Sequence, residues 1–185
     1  TDSGYPRIIK KLKRGQKLSE AKTLVEGTKK DMGLWPWVIK GEKKDSLMVI
    51  KRSSFFRGSN YWLMPDESMK ELPLQKSADI QAVFDDFIIF SLREEWSVNG
   101  ENYEIGNLLA FSISEFEKSG NMPSLHKLYI PGPEASLRSV SVSKSQIYLS
   151  ILENVRGKIL KLNFDQKTKS WKRAAIALPD TGSVS

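Results

Sequence analysis

Apolar residues fall into short runs that return in the same order three times. The first run of each set is Trp37-Val38-Ile39, Ala82-Val83-Phe84 and Val140-Ser141-Val142. A turn follows: Lys40 to Asp45, Asp85-Asp86 and Ser143-Lys144-Ser145. The second run is the most apolar: Leu47-Met48-Val49-Ile50, Phe87-Ile88-Ile89-Phe90 and Ile147 to Leu152. The third is Tyr61 to Met64, Leu108 to Phe111 and Ile159 to Leu162. The fourth lies near Glu71 to Leu74, Leu125 to Ile130 and Ala174 to Leu178. Four short strands recurring roughly every 40–55 residues predict an all-β chain built as a partial β-propeller, with three to four four-stranded antiparallel blades. Near-continuous apolar second strands fit sheets buried on both faces.

The punctuation agrees with that frame. Asn99-Gly100 predicts a two-residue hairpin inside an insertion running from Glu94 to Gly106. Asn154 to Gly157 predicts another hairpin, and Asp165 to Ser170 a long turn. Ser114 to Lys118 predicts a single helical turn, with Ser114 as N-cap and Glu117 three residues on. Ahead of the first full unit, Arg7 to Leu12 and Ala21 to Val25 read as two strands, the outer half of a preceding blade. The expected division is a half blade at 1–34, blades at 35–78, 79–135 (with the insertion) and 136–181, and the start of another at 182–185. On this expectation the chain is cut from a larger ring.

Composition narrows the function classes. Hydrophobic content of 39 % and charged content of 28 % are ordinary for a globular domain. The net charge of +7 is concentrated: residues 1–52 carry 14 Lys/Arg against 6 Asp/Glu, a net of +8. Such an excess suits either an acidic partner or solvent-facing strands, where Lys also blunts sheet edges. The cations are not interleaved with stacking aromatics, so no nucleic-acid partner is expected. No apolar stretch has the length of a membrane helix, and no membrane partner is expected. The absence of cysteine fits cytoplasm or periplasm alike.

Catalytic signatures are missing from these residues. No Gly-x-Ser-x-Gly elbow exists, and His126, the single histidine, stands on an expected outer strand where an exposed position is the plain expectation. One histidine and no cysteine leave no metal cluster, and no phosphate-binding glycine loop is present. No cofactor is expected, no catalytic residue is assigned, and the chain is expected to be inactive alone.

The remaining candidates stand after the second strand of each unit. Lys51 to Arg57 fills that place in the first, Ser91 to Trp96 in the middle one and Asn154 to Arg156 in the third. Arg57, Arg93 and Arg156 thereby become candidates for a binding face at one rim, with Trp96 as an exposed aromatic beside Arg93. Arg93 either pairs with Glu94 or Glu95 or presents its planar donors to a carbonyl or carboxylate ligand. The alternative is that all three are soluble hairpin tips.

At these residues the chain resembles the N-terminal propeller of the prolyl oligopeptidase family of serine peptidases. The resemblance is carried by Trp35-Pro36-Trp37-Val38, Phe90-Ser91-Leu92-Arg93-Glu94, Asn99-Gly100 with Gly106 to Ala110, Pro131-Gly132-Pro133 with Ala135-Ser136-Leu137, and Asn154 to Leu160. It implies a seven-bladed propeller covering an α/β-hydrolase domain, with peptides as substrate and the propeller as filter. Arg93 matches a family position that faces the active-site cavity, while Glu95-Trp96 departs from the pattern. The expected function is a non-catalytic propeller segment gating access to a hydrolase domain outside this chain. A propeller-type protein- or glycan-binding module is the alternative. A homodimer of the segment is expected from its cut faces.

Overall fold

The computed structural model describes residues 1–40 and 45–177. The described residues are all-β with one short helix and one 3-10 turn. The strands are β1 (Ile8–Lys11), β2 (Lys22–Glu26), β3 (Gly33–Ile39), β4 (Ser46–Arg52), β5 (Gly58–Leu63) and β6 (Met69–Glu71). They continue as β7 (Asp79–Phe84), β8 (Phe87–Ser91), β9 (Trp96–Val98), β10 (Glu101–Tyr103) and β11 (Leu108–Ser112). After helix α1 (Ile113–Ser119) come β12 (His126–Tyr129), β13 (Ala135–Val142), β14 (Ile147–Glu153), β15 (Arg156–Asp165) and β16 (Ser170–Ile176).

Three four-stranded antiparallel sheets form, in the orders β3-β4-β5-β6, β7-β8-β11-β12 and β13-β14-β15-β16. Each is a simple meander from first to fourth strand, which is how a propeller blade is wound. The fold class expected from the repeat, an all-β partial propeller, is the one observed. The pairs β1-β2 and β9-β10 form separate two-stranded sheets. Among the described residues no sheet closes into a barrel. The expected start of a further blade at 182–185, the strand end at Leu178 and most of the turn at 41–44 lie outside the described residues.

Two compact units result: Thr1–Ser77 with Glu115–Met122, and Ala78–Ser114 with the chain from Pro123 onward. In the first, Ile9, Val25, Leu34 and Val49 form a small core, with Leu24, Tyr61 and Met69 against it. In the second, Phe87 and Ile89 of β8, Leu108 and Ala110 of β11, and Ile147, Leu149 and Ile151 of β14 are buried together. Full burial of side chains of this size contributes about 1.5–3 kcal/mol each. Strand β8 is buried at Phe87, Ile88, Ile89 and Phe90 alike, which explains its unbroken apolar run. Strand β14 alternates instead, with Ile147, Leu149 and Ile151 inward.

Local expectations hold at the turns. Asn99 and Gly100 both take positive φ, 52° and 77°, as a type I′ hairpin requires. Asn154 and Val155 do the same at 49° and 63°. Several details differ. The third strand of the first sheet starts at Gly58, and the fourth ends at Glu71, ahead of the expected 71–74. The last fourth strand begins at Ser170 rather than Ala174. Helix α1 runs seven residues, and Ser114 lies inside it rather than capping it. His126 is half-buried, with Phe87 edge-on at 5.4 Å and Phe164 at 5.9 Å, because β12 completes the sheet beside an aromatic cluster.

Candidate functional site

Of the four sequence candidates, Arg93 and Trp96 are held through their side chains, while Arg57 and Arg156 are placed by their backbones. Arg93 stands two residues past the end of β8 and folds back to β7, where its Nη2 lies 2.7 Å from Asp79 Oδ2. Asp79 is paired with Ser91 across the ladder, so the ion pair bridges the ends of two adjacent strands. The local sequence pointed to Glu94 or Glu95 and gave no hint of Asp79. Both side chains are partly solvated (49 % and 31 % exposed), and a pair of this kind contributes at most about 1 kcal/mol.

Trp96 opens β9 and is half-buried, not exposed. Its ring meets Phe90 edge-on at 6.1 Å and Tyr103 at 6.5 Å. It therefore anchors the β9-β10 hairpin onto the sheet. The other side of the hairpin is tied by Lys127, whose Nζ lies 2.8 Å from Glu101 Oε2 and 5.1 Å from the Tyr103 ring centre. The Lys127 bond holds the Glu101 carboxyl below the usual carboxylate range, and Glu101 in turn raises Lys127. Partial burial, then Glu101, pushes the Tyr103 hydroxyl up.

Arg57 closes a tight loop between β4 and β5. Its carbonyl accepts the Ser53 N–H (2.9 Å), the Ser54 N–H (3.2 Å) and the Ser53 hydroxyl (3.1 Å). Gly58 follows because a Cβ there would sit 2.2 Å from the Lys51 carbonyl oxygen. The loop presents Phe55 and Phe56 to solvent, 79 % and 68 % exposed. Arg156 is the first residue of β15, opposite Glu153, and is exposed. Arg57, Arg93 and Arg156 all follow the second strand of their sheets, Arg57 at the end of the loop before β5 and Arg156 as the first residue of β15. Arg93 and Arg156 lie in one unit and Arg57 in the other.

Sequence reasoning missed a cleft of about 320 Å³ in the second unit. Its apolar lining includes Leu92, Ile105, Pro131 and Leu137, and its polar lining includes Gln81 and Arg138. Gln81 sits on β7 at a ladder irregularity: Ile80 pairs with Phe90 and Ala82 with Ile89, so Gln81 has no opposite residue. Arg138 does the same on β13, between Leu137 paired with Ile151 and Ser139 paired with Ser150. Both are β-bulge residues, and a bulge re-aims the extra side chain out of the ladder. The Gln81 amide donates to Ser91 Oγ at 3.0 Å.

Asp86 also carries more than its turn suggested. Its backbone carbonyl accepts the Ile113 N–H at 2.7 Å. Its carboxylate accepts the Ser112 hydroxyl at 2.6 Å, the Ser114 N–H at 3.0 Å and the Ser114 hydroxyl. The β7-β8 turn thereby caps the start of α1. Among the described residues, no group of three or more His, Asp or Glu is placed to hold a metal ion.

No protein-family model matches the chain. An uncharacterized peptidase of Sinorhizobium fredii is 27 % identical over 100 % of this chain and 26 % of its own length. An uncharacterized peptidase of Rickettsia prowazekii is 24 % identical over 95 % of this chain and 25 % of its own. A solved post-proline cleaving enzyme from Rickettsia typhi superposes with a TM-score of 0.84 at 22 % identity, over 97 % of this chain and 27 % of that one. The chain therefore spans about a quarter of the length of the relatives it matches. The resemblance to the prolyl oligopeptidase family read from the residues is borne out, since the sequence relatives are peptidases and the chain has the fold of one quarter of a post-proline cleaving enzyme.

Proposed function

We propose that the chain is a non-catalytic propeller segment of a prolyl oligopeptidase-type serine peptidase. It forms part of the wall through which peptides reach a hydrolase domain outside these residues. The observation that supports this reading is the match of nearly the whole chain to about a quarter of a post-proline cleaving enzyme, with peptidases as sequence relatives. In this reading the half blade at 1–34, the blades at 35–78, 79–135 and 136–181 and the start of the next at 182–185 are parts of a longer ring. Arg57, Arg93, Arg156 and Trp96 stand at its substrate side. The chemistry belongs to the hydrolase domain, and this segment selects by access and contact.

The test uses the full-length protein and a series of proline-containing peptides of increasing length, with a folded protein that carries an exposed proline. Cleavage after proline in the short peptides, and none in the folded protein, is expected. No cleavage of any peptide, or equal cleavage of the folded protein, overturns the reading.

A second reading, a protein-binding propeller module, is favoured by one feature, the exposed Phe55-Phe56 pair on a hydrogen-bonded loop. A full-length protein without hydrolytic activity that loses a partner on Phe55→Ser/Phe56→Ser substitution would support it. The 185-residue chain alone is further proposed to pair with a second copy of itself. A monomer in sedimentation at high micromolar concentration would argue against this.

A further inference from the structure

The two bulges place one amide and one guanidinium at the same cleft. Gln81 and Arg138 are the residues that the ladders of β7 and β13 leave unpaired. Both line the cleft whose apolar walls include Leu92, Ile105, Pro131 and Leu137. A lone arginine beside apolar walls is an incomplete arrangement. The guanidinium is always charged and offers a planar fork of donors that matches a carboxylate. Arg93, which follows the wall residue Leu92, already has its charge matched by Asp79. Arg138 makes no ion pair among the described residues and is exposed. The positive charge open to a ligand at this cleft is therefore that of Arg138.

We propose that this cleft is a peptide subsite that takes an apolar side chain next to an acidic one, with Arg138 binding the carboxylate and Gln81 a backbone amide. The proposal rests on the reading of the chain as part of a peptidase wall. A single open cation suits one carboxylate; a polyanion would call for several. At about 320 Å³ the cleft has room for roughly two side chains, at the small end of ligand sites. Gln81 already donates one hydrogen to Ser91 Oγ, which fixes its amide plane. Its carbonyl oxygen and second N–H then match the N–H and C=O of an extended peptide.

The experiment is direct binding of two acetylated and amidated tetrapeptides, Ala-Leu-Glu-Ala and Ala-Leu-Gln-Ala, by calorimetry at low salt. They differ only in the charge that Arg138 would read. The acidic peptide is expected to bind about tenfold more tightly. Arg138→Gln should abolish that preference, Arg138→Lys should keep part of it, and Gln81→Ala should weaken both peptides equally. Methyl shifts of Leu92 and Leu137 on titration should locate the contact. Equal affinity of the two peptides, failure of both to bind, or a preference that survives Arg138→Gln overturns the proposal. Binding is read without turnover. Hydrolysis by the full-length protein with no acidic preference defeats the subsite and leaves the peptidase reading standing. A preference in binding with no hydrolysis does the reverse.

Discussion

Trp62 on β5 gives its indole N–H to Glu117 on α1, with Nε1 and Oε1 2.9 Å apart. Trp62 is 1 % exposed, so its donor has no access to bulk water. Glu117→Ala leaves that donor unpaired and should cost about 1–3 kcal/mol of unfolding free energy. Glu117→Gln keeps an acceptor and should recover most of the loss. Chemical denaturation of the three proteins checks this. An alanine variant as stable as the parent refutes it.

Asp86 holds the start of α1 through both its carbonyl and its carboxylate. Asp86→Ala removes an ionised acceptor from three donors, and a loss of about 1.5–3 kcal/mol is expected. The helix is short, so its amide protons should exchange fastest in this variant. Unchanged exchange at Phe116 and Gly120 would show that the helix is held by packing alone.

Arg93→Ala in the full-length protein should lower kcat/KM for peptides by about 1.5–3 kcal/mol if the arginine meets substrate. Its effect on stability should stay within about 1 kcal/mol, the worth of a solvated pair with Asp79. Asp79→Asn separates the two roles. It keeps the arginine but releases its orientation, and a partial loss of turnover is expected. Full turnover in both variants would leave Arg93 a surface pair only.

Val155 carries a φ of 63° while 89 % exposed. A β-branched residue in the left-handed region is strained by roughly 1–2 kcal/mol, and glycine is not. Glycine gives back part of that through its freer unfolded chain. Val155→Gly should therefore stabilise the β14-β15 hairpin by about 0.5–1 kcal/mol, which thermal melting can read. A lower melting temperature would contradict it.

Asp165 is held at a pKa of about 2, chiefly by Lys172, with the Thr168 and Lys167 N–H groups adding to it. A depressed carboxylate contributes stability above its unfolded value of about 3.9, and that contribution is lost as pH falls toward 2. The β15-β16 turn should thus keep its ordered amide signals at pH 3 and lose them near pH 2. Lys172→Gln should move the titration upward. A carboxyl shift midpoint near 3.9 in the parent protein would disprove the arrangement.

The blades were legible because each ladder repeats a strong period. The unbroken run of β8 and the Asn99-Gly100 and Asn154-Val155 turns need only local chemistry. The cleft was not legible. In β13, Leu137 and Val140 are three apart yet pair with Ile151 and Leu149, which are two apart on one core-facing side. A bulge absorbs the extra residue, and a period-two reading cannot show which one. Gln81 was hidden in the same way between Ile80 and Ala82. Arg93 stood out by its loop, but Asp79 lies fourteen residues upstream and reaches it only through strand pairing. Asp86 looked like an ordinary turn residue because its partners, Ser112 and Ser114, come from the far side of the insertion.

A residue that a ladder skips carries none of its sheet's backbone rungs. Substitution at 81 or 138 removes no rung from a sheet and opens no hole in the core. What those two positions display can therefore drift, from amide to acid or from cation to neutral, while the blades around them stay as they are. Arg138, exposed and without a rung, is where the charge at this cleft can change with the least consequence for the sheets.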